Sequence, residues 1–186
     1  MIKHVVLSLI LTTQLGFGQA LMESVLPQVD SFQEGEWFQL RLHYGPINAS
    51  YATFSLERDT LEGKPVFHAK GFGETTGFAR LFFKVEDYYE SYFDEKTIQP
   101  YKFIRNINEG GYTKNVEIDF DQKNGTATVN DKKKAQINKF PTTEGVQDLI
   151  SCFYFLRNFY PKDEIEINES FDINMFFDNE NYVFKL

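Results

Sequence analysis

Apolar and polar positions alternate through much of the chain. Phe38, Leu40, Leu42 and Tyr44 are separated by Gln39, Arg41 and His43, the period of a strand with one face on a core. Gly45 and Pro46 end that strand. A second is predicted from about Asn48 to Leu56, with Ala52, Phe54 and Leu56 on one side. Glu62, Gly63 and Lys64 then turn the chain into a third near Val66. Three strands in this order predict an antiparallel meander. Gly71 to Gly77 carries three glycines and two threonines, the composition of a loop or a strongly bent strand, and Phe78 to Phe83 fits a helical turn. Val85, Tyr89 and Phe93 then share a strand face with Asp87 and Ser91, while Glu86, Tyr88, Glu90 and Tyr92 take the other.

The clearest local pattern is Tyr112, Val116, Ile118 and Phe120 alternating with polar residues ahead of Asn124-Gly125. Asn-Gly favours a two-residue type I′ turn. Setting Lys123 opposite Thr126 pairs Phe120 with Val129 and Gln122 with Ala127. The acidic spacing does not make a calcium loop, because Lys123 interrupts the oxygen-ligand pattern and no Glu closes it. Ala135 to Phe140 reads as a short strand.

Pro141 to Glu144 introduce a helix predicted over about Gly145 to Phe159, stopped ahead of Pro161. With Leu149 at zero on the helical wheel, Leu156, Tyr160, Phe153, Val146 and Ile150 fall between about −20° and 100°. They form one apolar face, with Arg157 inside it and Cys152 at its margin. Phe155 and Phe159 lie beside Asp148 on the far side, as surface rings or rings covered by a second layer. Ile165, Ile167, Phe171, Ile173 and Met175 predict a further strand, Asp178 to Asn181 a turn, and Tyr182 to Leu186 a last strand. No polar tail follows it, the expectation for a fragment or an unprotected edge.

Composition narrows the function classes. Twenty phenylalanines, ten tyrosines and one tryptophan among 186 residues require a core or cavity built largely from rings. A net charge of −8 lacks the positive field that gathers phosphates, which argues against nucleic acid as a partner. A single cysteine, Cys152, excludes an internal disulfide and any multi-cysteine zinc site. The head Met1 to His4 carries Lys3, and the short apolar run Val5 to Leu11 is followed by Gly16, Gly18 and Ala20, the pattern of a secretory signal peptide. The run is too short to span a bilayer, so no transmembrane segment is expected in the mature chain. Cleavage after Gly18 or Ala20 would leave a mature chain beginning at Gln19 or Leu21. No cysteine stands at the cut, so lipoprotein modification is not indicated.

Several phrases resemble a known family. These are Phe32 to Glu36 (FQEGE), the strand ending His43-Tyr44-Gly45, the return Ile47 to Ala52, FKVEDYYESYF from Phe83 to Phe93, TIQPYKF from Thr97 to Phe103, and VQDLISCFYFLR from Val146 to Arg157. Together they are similar to the bacterial exported family catalogued as domain of unknown function 3108. The resemblance spans nearly the whole mature chain, and the VQDLISCFYFLR and DYYESYF segments are its more specific parts. It implies an exported, predominantly antiparallel sheet curling around a helix, with further strands beyond this C-terminus, and it transfers no catalytic residue.

The expected architecture is mainly β with one long helix: a curved antiparallel sheet or partial barrel wrapping one α-helix. Residues 1–20 are read as the signal peptide and 21–186 as a single β-rich domain lacking its C-terminal strands. A sheet curved over a helix can enclose an apolar cavity, and Tyr44, Phe54, Tyr89, Phe93 and Phe153 are the rings expected to line it. Arg157, caught on an apolar helix face, needs a carboxylate, and Asp87 is the expected partner. No metal site or cofactor is expected: His43 and His68 stand apart, and Cys152 reads as an inert thiol. The favoured reading is a non-enzymatic module of the periplasm or cell envelope that binds an apolar small molecule, lipid or other envelope-derived ligand. The alternatives are a structural or assembly component contacting another envelope protein, and a hydrolase using carboxylates among Glu86, Asp87, Glu90 and Asp94.

Overall fold

The computed structural model of the chain describes residues 31–159 and 170–185. The expected leader at 1–20, Tyr160, and the strand positions Ile165 and Ile167 lie outside the described residues. Eight strands run in chain order: β1 (Trp37–Tyr44), β2 (Ile47–Leu61), β3 (Lys64–Thr75), β4 (Val85–Asp94), β5 (Pro100–Glu109), β6 (Tyr112–Asp121), β7 (Thr126–Asp131) and β8 (Gln136–Pro141). They form one curved antiparallel sheet in sequential order, a meander with β1 and β8 as edges and no closed barrel. Two helices, α1 (Gly77–Phe82) and α2 (Ser151–Phe159), and a separate hairpin of β9 (Asp172–Phe177) and β10 (Glu180–Lys185) complete the described residues.

Turn chemistry sets the meander. Glu62-Gly63, Gly110-Gly111 and Asp178-Asn179 each place two successive residues at positive φ, the requirement of a I′ hairpin turn. Tyr44 pairs with Ile47 across Gly45-Pro46, with Gly45 at φ 57°, the glycine-first order of a II′ turn. The hairpin after β6 differs from the Asn-Gly expectation. Asp121 pairs with Thr126, Phe120 with Ala127 and Ile118 with Val129, so the loop is four residues long. The Asp121 carboxylate explains this, because it accepts the Asn124 backbone N–H at 3.1 Å and its side-chain amide at 2.7 Å. The turn is thus nucleated four residues ahead of Gly125. The register moves by two residues, an even number, so the apolar residues keep their face. Asp131 repeats the device after β7, accepting the N–H groups of Lys133 and Lys134.

Of the two expectations for Gly71 to Gly77, a loop or a strongly bent strand, the residues as far as Thr75 take the strand, continuing β3 through Gly71 and Gly73. At Gly71 a Cβ would lie 3.2 Å from Ile150 Cδ1 and 3.4 Å from the Phe54 ring, so this glycine admits the segment that leads into α2. The core lies on the sheet face that carries α2 and β9, its inner face. Leu56, Phe67, Phe93, Phe103, Ile118 and Phe120 meet Val146, Ile150, Tyr154 and Phe176 there.

The long helix is shorter than expected, nine residues from Ser151. Asp148 stops it from starting earlier by acting as a cap. Its carboxylate accepts the N–H groups of Ile150 and Ser151 at 2.8 Å, while Ser151 Oγ accepts the Asp148 N–H at 2.9 Å, a reciprocal capping box. Upstream, Gln147 is extended and bridges in parallel to Met175: it donates to Asn174 O, and its carbonyl accepts from Phe176 N. The helix is also turned relative to the wheel. Tyr154 is fully buried between Phe32 and Phe93, whereas Leu149 and Phe153 remain exposed. β1 shows the same effect. α2 meets it at Phe38, whose ring lies 5.5 Å from Phe153, while Leu40 and Leu42 stay exposed despite their alternation.

Candidate functional site

The exposed face of α2 and the β9–β10 hairpin enclose an open cavity of about 630 Å³. Leu149, Cys152, Phe153 and Leu156 form one wall, and Met175, Phe177, Tyr182, Val183 and Phe184 the other. Among the described residues no charged side chain lines it. The walls are held from behind. Gln147 ties β9 to the α2 entry, Phe176 packs against Phe120 and Phe140, and Asp178 at the hairpin tip pairs with Arg105 at 2.7 Å and with Lys114. The Arg105 guanidinium lies 4.6 Å from the Phe177 ring centre, so the hairpin is clamped to β5 and β6 where its apolar wall begins.

The anticipated lining residues are divided. Phe153 borders the groove, and Phe54 supports it, stacked at 6.0 Å on Phe153 and at 5.0 Å on Phe38. Phe93 is filled core, fully buried against Phe32, Phe67 and Tyr154. Tyr89 packs on Phe103 at 6.2 Å, and burial holds its phenol above the usual range. Tyr44 ends β1, and its side chain lies outside the described residues. The hairpin half of the wall went unrecognised because alternation places β9 and β10 as strands without saying that they leave the sheet.

The expected Asp87–Arg157 pair is corrected. Arg157 reaches Glu36 instead, at 2.5 and 2.9 Å, and donates to Ser31 O at 2.7 Å. Asp87 lies on the inner face, buried, and accepts the Asn108 N–H at 3.1 Å. Burial raises its carboxyl, opposed by that hydrogen bond, while nearby Glu109 raises it further. The turned helix carries Arg157 toward the segment ahead of β1, so the nearest carboxylate comes from Glu36.

The remaining candidate chemistry has structural partners. Glu86 binds Arg80 and Lys84, Glu90 binds His68, and Asp94 accepts from Thr97 and Tyr101; nothing in this arrangement favours the hydrolase alternative. His68 is buried on the outer face, 2.8 Å from Glu90 and stacked on Tyr92 at 3.9 Å. His43 is exposed, its Nδ1 3.1 Å from Gly45 O. Among the described residues no group of side chains fits a metal ion, and no helix is long and apolar enough to cross a membrane. The Cys152 thiol is pushed up to about 11 by burial and by the charge of Asp148. It stays protonated at neutral pH and acts as an apolar part of the wall.

No curated protein and no solved structure matches the chain. A family model described as "Protein of unknown function (DUF3108)" matches residues 39–186. That span takes in the whole meander after the start of β1, α2 and the clamped hairpin, and the chain therefore belongs to the family of domain of unknown function 3108.

Proposed function

We propose that the protein is an exported, non-enzymatic module of the periplasm or cell envelope that holds an apolar or envelope-derived ligand between α2 and the β9–β10 hairpin. The observation that carries this reading is the groove of about 630 Å³, whose lining among the described residues is apolar, within the range of small-molecule sites, roughly 300–1,000 Å³. Its wall residues Leu149, Phe153, Tyr182, Val183 and Phe184 are large apolar groups left in water, a cost that a ligand would relieve. Export is supported by Lys3, the run Val5 to Leu11 and the small residues after it. N-terminal sequencing of secreted protein should then find Gln19 or Leu21.

Binding of a fluorescent polyene fatty acid, cis-parinaric acid, tests the groove. Leu149→Asp and Val183→Asp put a carboxylate into the wall at exposed positions and should each weaken binding at least tenfold. Equal binding by parent and variants overturns the reading. A second reading, an assembly component contacting an envelope protein, is favoured by one feature. Among the described residues β10 pairs only with β9, which leaves its other edge able to accept a strand. Mass spectrometry of the intact full-length protein distinguishes the two through a retained small molecule or a retained polypeptide.

A further inference from the structure

In a sequential antiparallel meander, alternate connections share an end. The β1–β2, β3–β4, β5–β6 and β7–β8 connections therefore lie together, away from the other three. Their composition is unlike the rest of the chain. They contain α1 and carry five cations, Arg80, Lys84, Lys132, Lys133 and Lys134, with no carboxylate. The three connections at the opposite end carry Glu62 and Glu95 against Lys96 and Lys123.

The same end displays large apolar side chains. α1 buries none of its residues, and Leu81 and Phe82 are 80% and 74% exposed. Phe78, whose ring lies 4.8 Å from Phe82, and Ile47 and Tyr112, the first residues of β2 and β6, are exposed as well. α1 is nonetheless fixed in place. Thr76 N donates to Ala49 O at 3.0 Å, Thr75 Oγ1 donates to Phe83 O at 2.9 Å, and the Phe83 ring fills the space where a Gly110 Cβ would stand. Among the described residues nothing covers this fixed apolar knob. The cations lie on α1 and its exit, at Arg80 and Lys84, and on the β7–β8 connection at the same end of the sheet. Arg80 holds Glu74 and Glu86, Lys84 holds Glu86, Lys132 holds Glu117, Lys134 holds Asp131, and Lys133 donates to Thr113. The paired carboxylates sit in the strands behind, so the outermost layer is apolar and cationic.

We propose that this end docks on an anionic lipid bilayer, with Phe78, Leu81 and Phe82 entering the interface and Lys132 to Lys134 facing the headgroups. Charge complementarity selects this partner. A chain of net charge −8 is repelled by an anionic surface except where its cations are outermost, and exposed apolar side chains that share one end with cations are the composition of interfacial elements. None of these residues lines the α2–hairpin groove, so the site stands apart from the ligand reading.

The test is co-sedimentation of the full chain with phosphatidylcholine vesicles containing or lacking phosphatidylglycerol. Parent protein should pellet with the anionic vesicles. Leu81→Asp with Phe82→Asp, both outside the core, should lose at least tenfold in partitioning with an unchanged circular dichroism spectrum. Lys132→Gln, Lys133→Gln and Lys134→Gln together should reduce the preference for anionic vesicles by about fivefold or more. Leu149→Asp should leave sedimentation unchanged. Failure of the parent to pellet overturns the proposal. So does equal pelleting of the Leu81/Phe82 variant, which would assign binding to the apolar residues 5–11, or a vesicle-free dimer that the same variant dissolves.

Discussion

Arg157 and Glu36 form a two-pronged ion pair, Nη1 to Oε1 at 2.5 Å and Nη2 to Oε2 at 2.9 Å, that ties α2 to the segment ahead of β1. Both side chains are mostly buried, and the guanidinium also lies 5.8 Å from the Phe32 ring centre. Arg157→Ala should cost about 2 kcal/mol, since it strands a carboxylate and removes packing on rings. In denaturant cycles the arginine should couple to Glu36→Gln by about 1 kcal/mol and to Asp87→Asn not at all. Coupling to Asp87 would mean that the helix docks in the other rotation.

Asp148 makes stability depend on pH. Burial pushes its carboxyl up to about 6, although Ser91 Oγ at 2.6 Å and the Ile150 and Ser151 N–H groups favour the charged form. The folded state therefore takes its proton before the unfolded chain does. This contribution is complete below about pH 4 and is lost as pH rises through about 6, by up to about 3 kcal/mol. Urea unfolding of parent and Asp148→Asn at pH 4 to 7 should show the parent losing ground to the variant over that window. Parallel pH profiles would contradict it.

Cys152 should be slow. With its thiol pushed up to about 11, the thiolate fraction at pH 8 falls about two orders of magnitude below that of a free cysteine. Labelling by a disulfide reagent should slow to match, and cis-parinaric acid in the groove should slow it further. Labelling at the free-cysteine rate would place the thiol outside the buried wall.

Two glycines of β3 should behave oppositely. Gly71→Val forces Ile150 and the Phe54 ring to move and should cost about 2 kcal/mol. Gly73→Ala meets nothing within 4 Å and should stabilise by about 0.5 kcal/mol through the unfolded chain. Thermal unfolding of the two variants measures both signs.

Much of the fold was legible along the chain because its interactions are local. Alternation at β1, β4 and β6 marked strands, and Gly45-Pro46, Glu62-Gly63 and Asp178-Asn179 marked turns between neighbours in sequence. The Asp148 to Ser151 capping signal was equally present in the letters, and reading it would have shortened the helix. Asp121 likewise outweighs Asn124-Gly125, because a carboxylate closes the turn before the glycine is reached.

The sequence by itself determined the alternating strands, the antiparallel meander of β1 to β3, family membership and the excess of aromatic side chains, since each depends on residues a few positions apart or on composition; β5, which carries no such alternation, was not legible, and the turn after β6 was misplaced by two residues of register. Tertiary structure alone decided the rotation of α2, the partner of Arg157, and the departure of β9 and β10 from the sheet. These outcomes depend on which surfaces meet across long separations, such as Gln147 with Met175 and Arg105 with Asp178. A helical wheel has several apolar arcs, and the one that is buried is chosen by the shape it meets: Tyr154 fits between Phe32 and Phe93, and Leu149 and Phe153 are left to form a groove.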